Sequence, residues 1–230
     1  MLSTQIIPHP SADPDRRIAV VAGALQTTLE IAGAIAIPAM KMSFGRNEEI
    51  FGEEEPADFV YKVTSGVVRT FRILGDGRRQ IACFYFAGDL FGLDGGDAHS
   101  SSAEAVTDCE IALVRRSQVE RAASQNPVVA HALWRLAADG LRRAEEHVML
   151  LGRRSAGERV GAFLLEMAAR EQGGEAIDLA MSRTDIADYL GLTIETVSRA
   201  LSEMERRRMI ALPSARHVVL RDRHAFADAA

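Results

Sequence analysis

Residues 182–208, SRTDIADYLGLTIETVSRALSEMERRR, decide how the rest of the chain is read. Ile186, Tyr189 and Leu190 stand at i, i+3 and i+4, the spacing of one helix face, and the small Ala187 lets a second helix approach closely. Gly191 then permits a sharp turn. Thr193 suits the N-cap of a second helix whose buried face would hold Val197, Leu201 and Met204, spaced by four and three. The other face carries Glu195, Ser198, Arg199, Ser202 and Arg206. A carboxylate, a hydroxyl and a guanidinium near a helix N-terminus can address base edges in a major groove, because Glu accepts from cytosine N4 and Arg grips guanine O6 and N7. The same row also fits a solvated helix face.

The surroundings narrow this reading. The 230 residues suffice for one or two domains, and 47% hydrophobic with 26% charged residues is ordinary globular composition. No apolar run reaches the length of a membrane span, and MLSTQIIPHPSADPDRR lacks a basic start followed by an apolar core, so a cytoplasmic protein without a membrane partner is expected. Cys83 and Cys109 lie far apart in apolar, strand-like settings, as reduced core thiols do. The net charge of -5 speaks against DNA binding until it is divided. Residues 152–230 hold 12 Lys+Arg and 12 Asp+Glu, so the whole excess of acid belongs to residues 1–151. Arginines 199, 206, 207, 208, 216, 221 and 223 gather on and after the second helix of the motif.

Read from the front, residues 1–17 form a polar, Pro-rich segment expected to be flexible, and a helix is expected from about Ile18 to Ala34. Short strands follow from about Met40 to Arg115. YKVTSGVVRTFRI and RRQIACFYFAGDLFG alternate polar with β-branched or aromatic residues around a Gly75-Asp76-Gly77 turn, which indicates a hairpin in a β-sandwich or roll. SQVERAASQNP is a short helix, and Pro127 opens a long one to about Leu151. Leu133, Leu136, Gly140, Ala144, His147 and Leu151 advance along it by threes and fours, a stripe that fits a two-helix seam or packing on its own domain. Residues 152–155 break the helix. After Arg208, MIALPSARHVVLRD reads as two short strands around a turn, the wing of a winged helix-turn-helix.

With these parts in this order, and with DIADYLGLTIETVSRAL and GDLFGL, the chain resembles the Crp/Fnr superfamily of bacterial transcription regulators over about residues 20–225. The string from Glu195 to Arg199 matches the E-x-x-S-R pattern of its Fnr and FixK branch and is especially similar to FixK-type members. The resemblance implies an α+β fold: a cyclic-nucleotide-binding-like β-roll (jelly roll) at 18–126, a dimerisation helix at 127–151, and a C-terminal winged helix-turn-helix at 152–230. It implies a homodimer on a TTGN8CAA-like palindrome of double-stranded DNA, with RNA polymerase as partner through loops such as Gly75 to Arg79 and Glu171 to Asp178. Glu195, Ser198 and Arg199 would read bases, and Arg183, Thr193, Thr196 and Arg216 would hold phosphates.

Input to such regulators differs between branches. Iron-sulfur sensors carry an N-terminal cysteine cluster, and no cysteine precedes Cys83 here. Cyclic-nucleotide binders place a Glu soon after Phe-Gly and an Arg about seven residues later, the Arg pairing with the phosphate. After Phe91-Gly92 this chain has Leu93 in place of the Glu, with His99 and Ser100 at the Arg-Ser pair. Glycines 95 and 96 and serines 100–102 leave open some other anion. Haem would rest on His99, the sole histidine of the strand region, or on His131 or His147 of the long helix, with no supporting pattern. No cofactor and no metal is therefore expected, and the resemblance to FixK-type members implies an activator of microaerobic or anaerobic metabolism genes. A cupin-type metalloenzyme also uses a roll but needs several converging His and carboxylate ligands, which are lacking.

Overall fold

A computed structural model describes residues 25–31, 35–152, 155–170 and 174–221. The N-terminal half forms two antiparallel sheets. Its strands are β1 (Leu25–Ile31), β2 (Ile35–Phe44), β3 (Glu49–Phe51), β4 (Phe59–Ser65), β5 (Val68–Ile73), β6 (Arg79–Tyr85), β7 (Leu90–Phe91), β8 (Ser102–Ala105) and β9 (Cys109–Arg115). One sheet has the order β1-β2-β9-β4-β7 and the other β3-β8-β5-β6. Alternation along each strand decides which core a side chain enters. On β9, Cys109, Ile111 and Leu113 join Tyr61, Val63, Val68 and Phe91 between the sheets, while Ala112 and Val114 face outward. That outer layer is closed by α1 (Arg116–Gln125) and α2 (Pro127–Leu151), through Val119, Val129 and Ala132. Asn126 caps α2 by accepting from the Val128 N–H at 3.0 Å, and Pro127 takes a first-turn position where its missing N–H costs nothing.

The front of the roll departs from expectation. Within the segment expected to be helical, Leu25–Ile31 is a strand paired antiparallel with β2 from Leu25↔Lys41 to Ile31↔Ile35. LQTTLEI alternates apolar and polar residues with period two and contains two adjacent threonines, which favour a pleated, half-buried surface over a helix. Residues 1–24 and 32–34, including the segment expected to be flexible, lie outside the described residues.

The C-terminal part contains α3 (Ala156–Arg170), β10 (Ala176–Asp178), α4 (Arg183–Leu190), α5 (Ile194–Arg206), β11 (Ile210–Ala211) and β12 (His217–Leu220). The wing is a three-stranded antiparallel sheet with β12 central, one strand more than the reading of the sequence supplied. The α+β architecture is otherwise the one expected: a β-roll, a long helix and a winged helix-turn-helix. No helix among the described residues is long and apolar enough to cross a membrane.

The two parts share a core. Val67, Phe71, Ile81 and Phe84 from the roll pack with Phe163, Leu164 and Met167 of α3, with Ile186, Tyr189 and Leu190 of α4, and with Val197 and Leu201 of α5. Ile81 and Phe84 face the same side although three residues apart, because the pairing of β5 with β6 shifts register between Thr70↔Cys83 and Phe71↔Ile81. This bulge turns the outer face of the smaller sheet into a platform for the helix-turn-helix. At its edge the His147 ring stacks on Tyr189 with centres 4.1 Å apart, and the Tyr189 hydroxyl lies 3.3 Å from Glu166.

Two consequences are measurable. Gly66, between β4 and β5, has φ +85°, and an added Cβ would overlap the Asp108 carbonyl oxygen and lie 2.7 Å from Cys109 Sγ. Gly66→Ala should destabilise the protein in urea unfolding by about 1–3 kcal/mol from backbone strain, with the overlap adding to this. Burial holds the His147 pKa below the ordinary histidine value. Its neutral form is thus the folded one, and its contribution to stability is full above about pH 6.5 and is lost as pH falls from there toward the folded pKa. His147→Phe should flatten the pH dependence of stability in that window relative to wild type.

Candidate nucleic-acid interface

The motif helices owe their ends to local hydrogen bonds. Ser182 caps α4 by accepting from the Asp185 N–H at 3.1 Å, and the Asp185 carboxylate answers by accepting from the Ser182 N–H at 3.0 Å. This reciprocal box is readable as S-x-x-D, a signal the reading of the sequence passed over. Gly191 closes α4 with φ 63°, the left-handed conformation that glycine adopts without strain. Thr193 caps α5, accepting from the Thr196 N–H at 3.3 Å. Val197, Leu201 and Met204 are buried as the spacing predicts, and Glu195, Ser198, Arg199, Ser202 and Arg206 are exposed together on the opposite side.

The charges on this face are ordered. The Glu195 carboxyl is held below the usual carboxylate range by a bond from its own backbone N–H, by the Thr193 hydroxyl and by the Arg199 charge, so it is an acceptor at neutral pH. Arg199 Nη2 lies 3.4 Å from Thr196 Oγ1, a neutral partner, so its positive charge remains available. Arg206 and Arg207 both bond Glu203, at 2.7 Å each, which offsets part of the basic cluster. Between α5 and the start of α3 runs a groove of about 480 Å³ whose rim includes Ser155, Gly157, Thr196, Arg199 and Arg207. Of the remaining expected phosphate contacts, Thr193 and Arg216 are exposed, and Arg183 is half-buried with its guanidinium donating to the Ala215 carbonyl in the wing at 3.3 Å. Thr193 and Thr196 thus stand at the start of α5, and Arg183 reaches the wing that carries Arg216.

On α2 the six stripe residues divide. Leu133 packs on the core beneath α1, His147 stacks on Tyr189, and Leu151 approaches Gly191. Leu136 and Gly140 are half-buried and Ala144 is exposed. The large apolar side chains left in solvent on this helix are Val128 in its first turn, then Trp134, Leu141 and Val148, the last three spaced by seven, with Met149 beside them; Trp134 is 73% exposed. They lie roughly one residue, about 100°, around the helix from the stripe.

In the roll, Leu93 is exposed, and His99 is buried with its ring stacked 3.6 Å from Phe51. His99 Nδ1 lies 2.8 Å from Asp94 Oδ2, and Ser100 donates to Asp94 Oδ1 through N–H and Oγ at 3.0 and 2.8 Å. Burial raises the Asp94 carboxyl, but the bonds from His99 and Ser100 outweigh it and hold the group below its ordinary value. Asp94, His99 and Ser100 thus form one hydrogen-bonded group in the loop after Phe91. Burial pushes the Cys83 thiol up to about 11 and also raises Cys109, which makes both poor thiolate ligands. Among the described residues no three His, Cys, Asp or Glu converge on a metal position.

A second polar group was not legible in the sequence. Arg69 on β5 and Arg79 on β6 reach across to Asp185 and Asp188 of α4, and residues up to 116 positions apart carry no spacing signal for such a pairing. Arg170 of α3 makes a further tie, donating to Asp89 at 2.7 Å and lying over the Phe86 ring.

Comparison with known proteins agrees with this construction. Residues 158–229 match a model of the Crp-like helix-turn-helix domain, and residues 41–126 match one of the cyclic nucleotide-binding domain. The nitrogen fixation regulation protein FixK of Azorhizobium caulinodans is 50% identical over 202 residues, covering 86% of this chain and 80% of that protein. FixK of Rhizobium meliloti is 41% identical, covering 79% and 82%. The solved structure of FixK2 from Bradyrhizobium japonicum superposes with a TM-score of 0.79 at 48% identity, over 83% of this chain and 96% of that one. These relatives are regulators of transcription rather than enzymes. With a roll, a long helix and a winged helix-turn-helix in the same order, and with close FixK relatives, the chain belongs to the Crp/Fnr family of DNA-binding transcription regulators.

Proposed function

We propose that this protein acts as a homodimer that reads a TTGN8CAA-like palindrome with Glu195, Ser198 and Arg199, without cyclic nucleotide, iron-sulfur cluster or haem. The observation that carries the reading is the exposed row on α5, capped at its start and backed by a buried face. In each half-site Glu195 accepts from cytosine N4 while Arg199 donates to guanine O6 and N7 of the same pair, and Ser198 touches the neighbouring thymine. Arg183, Thr193, Thr196 and Arg216 hold backbone phosphates, which makes affinity steeply dependent on salt.

Dimerisation runs along α2. Its centre is the heptad-spaced row of Trp134, Leu141 and Val148, flanked by Ala144 and Gly140, because large apolar side chains in solvent at sevenfold spacing match a coiled-coil seam. Leu133, His147 and Leu151 support the same helix from its own chain's side. Charge argues against a cyclic nucleotide: a phosphate at His99 and Ser100 would face the Asp94 carboxylate, which already accepts from both. The protein activates transcription in the cytoplasm through contact with RNA polymerase, for which the turn at Gly75 to Arg79, exposed from Gly75 to Arg78, is the contact surface. The similarity to FixK-type regulators supports control of microaerobic or anaerobic metabolism genes.

Arg199→Ala should cost about 1–3 kcal/mol per half-site and relax preference at the C·G pair, measured by competition between TTG palindromes and duplexes altered at that pair. Retained discrimination would show that α5 sits in another register. Leu141→Asp should shift the protein to monomers in sedimentation, since it buries an unpaired carboxylate in the seam. An unchanged dimer mass would place the interface elsewhere.

A further inference from the structure

The helix-turn-helix is tied to the roll by ions as well as by packing. Asp185 Oδ1 accepts from Arg69 Nη1 at 3.0 Å and from Arg79 Nη2 at 2.7 Å, and Asp188 Oδ2 accepts from Arg79 Nε at 2.8 Å. Glu104 on β8 takes the other side of Arg69, at 3.1 Å from Nε. The Arg69 and Asp185 side chains are each 6% exposed, whereas Arg79 and Asp188 are near one-quarter.

A buried ion pair adds little net stability over an apolar replacement, but losing one partner leaves an uncompensated charge, so its main effect is to select one arrangement. Guanidinium groups bonded through two or three nitrogens fix rotation as well as distance. Here they fix α4, and α4 carries α5. The docked face is that of α4 and α3, while Glu195, Ser198 and Arg199 remain exposed, so docking leaves the reading face open. Two reading helices of a dimer must meet successive major grooves about 34 Å apart, a demand on domain orientation that flexible attachment would not meet.

We propose that Arg69, Arg79, Asp185 and Asp188 are positioning residues for DNA recognition, holding the helix-turn-helix on the roll in its DNA-competent orientation without a bound ligand. The proposal rests on the reading of α5 as the base-reading helix of a dimer. It adds what keeps that helix aimed.

The test uses full-length protein and duplexes carrying a TTG palindrome or a scrambled control. Arg69→Met should weaken binding to the palindrome by tenfold or more with an unchanged salt slope, because no phosphate contact is lost. Asp188→Asn, at the part-exposed pair, should weaken binding severalfold and Arg79→Gln, which also loses the bond to Asp185, at least as much, and the double variant no more than Arg79→Gln alone, since the bond to Asp188 is already gone. Asp188→Glu, which keeps the charge, should bind nearly as wild type. Solution scattering of the free protein should show a broader particle for Arg69→Met and for the double variant. Folding is checked by circular dichroism; should Arg69→Met fail to fold, the Arg79 and Asp188 variants decide.

Folded variants with wild-type affinity and wild-type scattering would overturn the proposal. Tighter binding would also overturn it, by making the network a restraint, and a reduced salt slope would assign the arginines to phosphates instead. If wild type failed to distinguish the palindrome from the scrambled duplex, the reading of α5 would fall, while scattering would still decide whether the network orients the domain.

Discussion

The carboxylate of Asp185 is the point at which the two halves of the molecule depend on each other. One oxygen accepts from the Ser182 backbone and hydroxyl and so starts α4; the other accepts from Arg69 and Arg79 on the roll. All its acceptor positions are therefore used, which is the condition under which a buried charge is tolerated. Because one group both begins the first motif helix and receives the roll's cations, the local fold of the helix-turn-helix and its attachment are one constraint. The apolar platform of Phe71, Ile81 and Phe84 supplies the adhesion, and the ions supply the orientation.

The roll has the fold of a cyclic nucleotide-binding domain, with Asp94 bonded to His99 and Ser100 in the loop after Phe91. In a fold whose ligand would otherwise bias the docking of the DNA-binding domain, a pre-formed ionic attachment removes the need for that bias. The long helix has two sides: its inner side, through Leu133 and His147, grips its own chain, and its outer row of Trp134, Leu141 and Val148 is exposed.

What was legible in the sequence follows from the range of the interactions. Helices α4 and α5 and the turn at Gly191 were readable because caps, periodicity and a left-handed glycine act within a few residues. The helix expected from about Ile18 to Ala34 gives way to a strand at Leu25–Ile31, because its seven-residue alternation is short and the strand is completed by pairing with β2. Strand β10 is three residues long with one buried side chain, Ile177, too little for a pattern, and exists because β12 offers an edge. On α2 the stripe by threes and fours caught the half-buried side, while the sevenfold row beside it carried the exposed bulk. The pairing of Arg69 with Asp185 had no sequence signature, since it joins elements that only the finished fold brings together.

Whether the reading helices are aimed at DNA in the unliganded protein is decided by selecting bound DNA from a random pool with purified protein and no added effector. Enrichment of symmetric TTG half-sites separated by a spacer of about eight base pairs is expected, the distance that puts both α5 helices in successive major grooves. Enrichment of single or unsymmetrical sites, or none until a small molecule is supplied, would contradict this expectation.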